Sequence, residues 1–310
     1  MTDKQLEYIV AIASEGNVTH AAAKLFVGQS SLSQTLSHVE SEIGAKIFYR
    51  RQGALVPTPA GEHFLKAARD ILEIKKNLLA KYREDENPCS GTICVGMSQS
   101  RSWMFTPLIL PSFLSLYPEA NIVFTEGNED ELSRLLANGK IDLIFTAAPY
   151  SNSAFSYYPL IDERTVLAVS SKYGLGVVQK KAVLDHNLNA FRNIPFIMMH
   201  KNHSLRRLAD QILSDGELCP NVLLESHSMD VCFQMAANGL GATIVPETLY
   251  IYHKSIDSLD IFPTGAQYNR RVAIGYRKDA YLPFITREFI RVTSKVLEDE
   301  YLSVISSSDR

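Results

Sequence analysis

The sequence is poor in the features that mark several large protein classes. Its four cysteines, Cys89, Cys94, Cys219 and Cys232, form no CxxC pair and are too few for a secreted disulfide framework, so reduced thiols in a reducing compartment are expected. No run approaches the roughly 18 apolar residues needed to cross a bilayer. The opening segment, MTDKQLEYIVAIASEG, is broken by Asp3, Lys4, Glu7 and Glu15 and lacks the regions of a signal peptide. A cytoplasmic protein with no membrane partner is expected. A formal net charge of -3 offers no global attraction to nucleic acid, so any such attraction must be local. There is no internal repeat and no low-complexity tract.

Catalytic motifs are missing as well. Neither GxSxG nor HExxH occurs, and GxGxxG is incomplete around Gly239 and Gly241, which read as turn glycines. His200 and His203 lack the nearby Cys or carboxylate that would make a metal set. No catalytic residue, cofactor or metal is expected, and the chain does not read as an enzyme.

What remains is an ordinary globular composition, 46% hydrophobic and 21% charged, in 310 residues, long enough for two or three domains. Leu6, Ile9, Val10 and Ala13 recur at helical spacing up to a stop at Glu15-Gly16-Asn17. Two short helices follow, one from Thr19 to Leu25 and one from Ser30 to Glu40, with Gly28 interrupting between them. The second places Leu32, Leu36 and Val39 on one stripe and Ser30, Ser31, Ser33, Gln34, Ser37 and His38 on the other face. By itself this pattern suits a DNA-reading helix-turn-helix and a plain helical hairpin equally well. The segment from Tyr49 to Pro59 reads as a basic hairpin turning near Gly53, a candidate wing. From Ala60 to about Arg83 a long helix carries Phe64, Leu65, Ala68, Ile71, Leu72, Leu78 and Leu79, a stripe whose simplest cover is the same helix of a second copy. Glu84 to Gly91 reads as a linker.

These residues carry a specific resemblance. Asn17 to Leu25, then Gln29-Ser30-Ser31-Leu32-Ser33, Leu36, Val39, Glu40, Gly44, Ile47, Phe48 and Arg50, and finally Pro57-Thr58-Pro59-Ala60-Gly61, resemble the LysR-type transcriptional regulators. The resemblance implies that Gln29, Ser30, Ser33 and Gln34 approach double-stranded DNA, with Thr19, Ser31 and Arg50 on its backbone. His38 shares the polar face. The family often has Arg where this chain has Gln34, Ser37 or His38, which shifts phosphate contact towards Arg50 and Arg51 and predicts a shallow salt dependence. Specificity should rest on Gln and Ser, since Gln can pair with adenine N6 and N7.

Beyond residue 91, short β-rich runs alternate with helical stretches. Strands are expected over Thr92 to Met97, Asn121 to Glu126, Asp142 to Thr146, Val166 to Ser170, Pro195 to Met199, Val222 to Leu224, Ala242 to Val245 and Arg271 to Tyr276, giving an α/β fold with mainly parallel sheets. The first strand ends at Ser98-Gln99-Ser100-Arg101, ahead of a helix near Pro107, placing hydroxyls, an amide and a cation together. Thr146, the stretch His200 to Ser204, and Glu225 to Met229 also lie at strand ends or helix starts, where free amides favour anions. Each such Ser or Thr suits an N-cap as well as a ligand contact.

Glu126-Gly127, Gly139 to Leu143 and Gly239 to Pro246 are similar to the family's two-lobed effector domain, related to type 2 periplasmic binding proteins. That resemblance implies a cleft lined by Ser98, Ser100, Thr146, residues 200–204 including His200, His203 and Ser204, and residues 226–229 including Ser226, His227 and Met229. With Gln99 and Arg101, the set predicts a small organic anion as effector. The resulting division is a winged helix-turn-helix over 1–58, a linker and dimerisation helix over 59–90, and an effector domain over 91–310. Lobe I takes 91–163 and 272–310, lobe II takes 164–271, and self-association as dimer or tetramer is expected. Two alternatives stand beside this reading. One is a redox switch on Cys219 and Cys232, although the peroxide-sensing branch has a Cys where this chain has Ser204, and buried structural thiols are the plainer expectation. The other is a solute-binding protein or enzyme using the two-lobed domain alone, which leaves residues 1–58 without a role.

Overall fold

The computed structural model describes residues 1–310 except 151, 176–187, 254–257, 279 and 309–310. Two compact units are built mainly on Met1–Pro88 and on Cys89–Lys278 with the C-terminal helix.

The first unit runs α1 (Asp3–Glu15), α2 (Val18–Lys24), α3 (Gln29–Ile43), β1 (Phe48–Arg51), β2 (Ala54–Pro57) and α4 (Pro59–Glu86). Thr2 and Gln5 cap α1 reciprocally, side chain to backbone in both directions, which satisfies two of the amides a helix start leaves open. Asn17 Oδ1 accepts from the amides of Thr19 and His20 and starts α2. Ile9, Ile12, Leu32, Val39 and Ile47 are fully buried together, and Leu65 brings α4 onto the same core. Burial of each such side chain contributes roughly 1.5–3 kcal/mol.

The turn between α2 and α3 is not made by its glycine. The left-handed residue is Phe26, at φ 55 and 96% exposed, whereas Gly28 caps α3 at an ordinary φ of -67. A second determinant is Glu40, buried at 8%, whose carboxylate accepts from the Ile47 amide at 2.9 Å and from Lys46 Nζ at 2.6 Å. It fastens the start of the hairpin to α3. The hairpin turns at Gln52 and Gly53, both with positive φ, as a tight two-residue connection requires.

The second unit contains β3 (Gly91–Met97), α5 (Gln99–Leu116), β4 (Ala120–Glu126), α6 (Glu129–Ala137), β5 (Leu143–Ala147), β6 (Phe155–Glu163), β7 (Thr165–Ser170), β8 (Pro195–Met199), α7 (Ser204–Asp215), β9 (Asn221–Ser226), α8 (Met229–Ala237), β10 (Ala242–Pro246), α9 (Glu247–Tyr252), β11 (Leu259–Pro263), β12 (Arg270–Arg277) and α10 (Phe284–Ser308). They form two five-stranded sheets, ordered β4-β3-β5-β12-β6 and β11-β7-β10-β8-β9, one per lobe.

Both sheets are mixed rather than mainly parallel. In each, four strands point the same way and one, β12 or β7, runs antiparallel between its two neighbours. The sequence reading missed β6 and β11, which are both edge strands. Edge strands tolerate proline and polar interruption, so Pro159 within β6 and the short LDIFP run of β11 hide the period that a central strand displays. The helix expected near Pro107 begins instead at Gln99, and Pro107 and Pro111 lie inside it. Each proline removes one helix hydrogen bond, but buried Met104, Phe105, Ile109 and Phe113 hold the segment against the sheet. Gly241 stands at φ 159 where a Cβ would fall 2.0 Å from the Pro195 carbonyl oxygen, so this glycine permits the close approach of two chain segments rather than forming a nucleotide loop.

The chain passes between lobes at Glu163-Arg164-Thr165 and returns ahead of β12. β6 and β12 pair antiparallel there, with Glu163 opposite Arg270 in register. The two crossings therefore lie side by side.

Candidate DNA interface and effector cleft

On the first unit, the stripe that buries Leu32 and Val39 turns the opposite side of α3 outward. Gln29, Ser30, Ser31, Ser33, Gln34 and His38 are all exposed, as are Thr19 on α2 and Arg50 and Arg51 on β1. The amide of Thr19 is spent on capping by Asn17, leaving its hydroxyl exposed. His38 Nε2 lies 4.0 Å from Glu42, one turn on, so the sole imidazole of this face already has an acidic neighbour. Short polar groups projecting from one helix, beside two exposed arginines on a hairpin, form a surface suited to base edges and phosphates respectively.

On the second unit, a cavity of about 410 Å³ opens between the lobes. Four helices begin at its wall, α5, α6, α7 and α8, and their N-caps Ser98, Asn128, His203 and Ser228 all line it. The caps explain the local folding, since each side chain accepts an amide hydrogen of its own first turn. Four positive helix ends around one space favour negative charge within it.

Of the residues singled out from sequence, Ser98, Gln99, Ser100, Arg101, Thr146, His203, Ser204, His227 and Met229 line this cavity. His200 and Ser226 do not. The His200 ring stacks on His227 at 4.2 Å, behind the wall, and Ser226 Oγ accepts from the Ser228 amide in the turn before α8. Ser100 Oγ donates to Asp230 at 2.8 Å, and Trp103 Nε1 donates to the other oxygen of Asp230 at 2.9 Å, joining α5 to α8 across the cleft. Thr146 Oγ1 donates to Glu129 at 3.2 Å.

Arg101 is not a solvated surface charge. It is 11% exposed and reaches Glu163 at 3.4 Å. Glu163, 1% exposed, also accepts from Thr248 Oγ1. Arg270, 7% exposed, makes its hydrogen bond to Ser204 Oγ at 3.2 Å, and among the described residues no carboxylate lies within ion-pair distance of it. Burial, and then the charge of Arg101, hold the Arg270 guanidinium down to about 10, far below an ordinary arginine. Arg270 and Glu163 were missed from sequence because each precedes or ends an apolar strand beside another charge, where a solvated residue is the commoner occupant.

His203 is held down to about 4, by burial first and then by Arg270 and Arg101. The unfolded chain takes up a proton near pH 6.5 that the native cleft refuses until about pH 4, so stability drains as pH falls through that window and is restored above it. The loss attributable to His203 is about 3 kcal/mol at the acid end. His203→Asn, which retains an N-cap, should flatten this part of a pH-stability curve measured by thermal unfolding between pH 7 and 4; an unchanged slope would show that the proton binds elsewhere.

The cysteines divide. Cys232 is buried, donates to the Met198 carbonyl oxygen, and has its thiol pushed up to about 11 by burial, the reverse of a reactive thiolate. Cys219 is exposed rather than a buried structural thiol, and both are free. Among the described residues no cluster of three or more His, Cys, Asp or Glu is placed to hold a metal, and no helix is long and apolar enough to cross a membrane.

Comparison with known proteins covers nearly the whole chain. Residues 4–62 match the bacterial regulatory helix-turn-helix of the lysR family, and residues 87–298 match the LysR substrate binding domain. The chain is 25% identical to the HTH-type transcriptional regulator YcgK of Bacillus subtilis (strain 168), itself uncharacterised, across 97% of this chain and 96% of that one. A full-length OxyR variant from Pseudomonas aeruginosa superposes with a TM-score of 0.66 at 25% identity, covering 96% of this chain and 94% of that chain. CbnR in complex with its target DNA shares the fold at a TM-score of 0.59 and 20% identity, covering 96% of this chain and the whole of that one. These relatives are regulators rather than enzymes. The chain belongs to the LysR family and is a DNA-binding transcriptional regulator with a helix-turn-helix and a two-lobed substrate-binding domain.

Proposed function

We propose that this regulator reads its operator with Gln29, Ser30, Ser33 and Gln34, contacts phosphates through Thr19, Ser31, Arg50 and Arg51 with His38 at the edge, and responds to a small organic anion held between its lobes. Residues 1–58 then bind DNA, 59–90 join two copies, and 91–310 sense the effector, with lobe I at 91–163 and 272–310 and lobe II at 164–271. The protein works in the cytoplasm, where its operator and metabolites are.

The observation that carries the sensing role is Arg270, a buried guanidinium with a neutral hydroxyl for partner, at a cavity where four helix N-termini meet. A desolvated cation of this kind is poorly compensated until an anion arrives. Self-association draws support from α4, where Ile71, Ile74, Leu78, Leu79 and Tyr82 remain exposed, a stripe that a second α4 would cover. As dimers or tetramers, the copies would present two or more reading helices to a repeated operator.

Thermal-shift measurements on the full chain with carboxylates, neutral metabolites and amines test the sensing role; carboxylates should raise the melting temperature, and stabilisation by amines alone would overturn it. For DNA, Gln34→Ala should lose about 1–3 kcal/mol of discrimination between operator and scrambled sites. Arg50→Ala should weaken both alike and reduce the salt slope by about 0.9. Gel-shift titrations at several salt concentrations separate the two roles, and identical losses for both variants would refute the division of labour.

A further inference from the structure

The charges around the cleft are layered by depth, and that layering narrows the ligand beyond its being an anion. The buried floor holds Arg101, Arg270 and Glu163. Arg101 and Glu163 occupy one another, and Thr248 takes a further acceptor position on Glu163, so the floor is left with one uncompensated positive charge, Arg270. The rim has the opposite sign. Glu126 at the end of β4 and Glu129 in the first turn of α6 both line the cavity and are exposed. Among the described residues neither forms an ion pair, and Glu129 receives only the hydroxyl of Thr146.

A lone cation in this cavity would satisfy the rim while pressing against Arg270 where the dielectric is low. A lone anion would satisfy Arg270 with two carboxylates facing it from above. Only a molecule bearing both charges meets both layers. At about 410 Å³ the space lies near the lower end of the roughly 300–1,000 Å³ spanned by small-molecule pockets.

We infer that the effector is a small zwitterion of amino-acid type, its carboxylate held on Arg270 and the N-terminus of α7 beside Ser204, its ammonium held by Glu129. This rests on the reading of the cleft as an anion site and adds the second, cationic pole. Thr146 then has a positioning role, since its hydroxyl already fixes one oxygen of Glu129.

The test uses the full-length protein and calorimetric titration with three matched probe sets: free L-amino acids, the carboxylic acids of the same skeleton without the amine, and the amines without the carboxylate. At least one amino acid should bind tenfold or more tighter than both of its truncated forms. Glu129→Gln should weaken that amino acid at least tenfold while leaving the matching des-amino acid unchanged or tighter, and Arg270→Gln should abolish binding of both carboxylate-bearing probes. Glu129 is exposed, so its variant carries the test even if substitution at buried Arg270 prevents folding. Equal affinity for an amino acid and its des-amino form, or no response to Glu129→Gln, overturns the zwitterion while leaving the anion site standing. Failure of every carboxylate-bearing probe overturns both.

Discussion

Gly61→Ala should cost the DNA-binding unit about 3 kcal/mol or more and reduce operator affinity by well over tenfold. A Cβ on Gly61 would sit 2.0 Å from the Ile47 carbonyl oxygen and 2.9 Å from its carbonyl carbon, both backbone atoms. The Ile47 peptide has no room to retreat. Its oxygen accepts from the Thr58 amide at 2.9 Å, and its own amide donates to buried Glu40 at 2.9 Å. Relief of the clash therefore needs the first turn of α4 to move off the hairpin, breaking the bond from the Thr58 amide to Ile47 and the one from Thr58 Oγ1 to the Lys46 carbonyl oxygen at 2.6 Å. Overpacking costs about 1–3 kcal/mol, and each buried polar group left without a partner adds about 1–3 kcal/mol. Arg50 and Arg51 would shift with β1. Thermal unfolding and gel-shift titration check this, with Gly28→Ala as the control. At Gly28 the nearest atom would be 3.8 Å away and φ is ordinary, so a change within about 0.5 kcal/mol is expected there. Equal, small effects at both glycines would show that the junction yields.

Glu163→Gln should destabilise the effector domain by about 3 kcal/mol. The side chain is 1% exposed, faces Arg270 in register at the lobe crossing, and accepts from Arg101 on α5 and Thr248 on α9, one from each lobe. Neutralising it removes the buried carboxylate that offsets Arg101 and Arg270 in a poorly solvated space. Removal of one partner from a buried pair costs about 3–5 kcal/mol, and the low end applies because the Arg101 contact is 3.4 Å long with Arg101 11% exposed. The same vacancy of negative charge makes the cleft a stronger anion site. Sulfate or a simple carboxylate should therefore raise the melting temperature of Glu163→Gln more than that of the unaltered protein. A variant melting like the parent, with no gain in anion response, would show that water already screens the two arginines.

The helix-turn-helix was legible from the chain alone because everything that makes it is local. Leu32, Leu36 and Val39 recur at helical spacing, Asn17 starts the preceding helix, and the run from Gln29 to Ser33 repeats a family pattern. The backbone of the turn between α2 and α3 was not legible in that way, because its positive-φ residue is Phe26, wholly exposed, where glycine is the usual occupant. The hydroxyls of the cleft were legible for a related reason. Ser98, Thr146 and Ser204 stand at strand ends or helix starts, and these features are written in consecutive residues.

The polar face of α3, the long apolar stripe of α4 and most of the helix starts around the cleft follow from local sequence, since amphipathic period and capping depend on neighbours a few positions apart. The charge of the cleft, by contrast, depends on how distant strands pair. Asp162, Glu163, Arg270 and Arg271 look alike as pairs of flanking charges, yet the register of β6 against β12 turns Glu163 and Arg270 inward while Arg271 pairs with Asp162 at the surface. Successive residues of a strand point to opposite faces, so which member of each pair is buried depends on pairing between distant segments, and no local pattern records it.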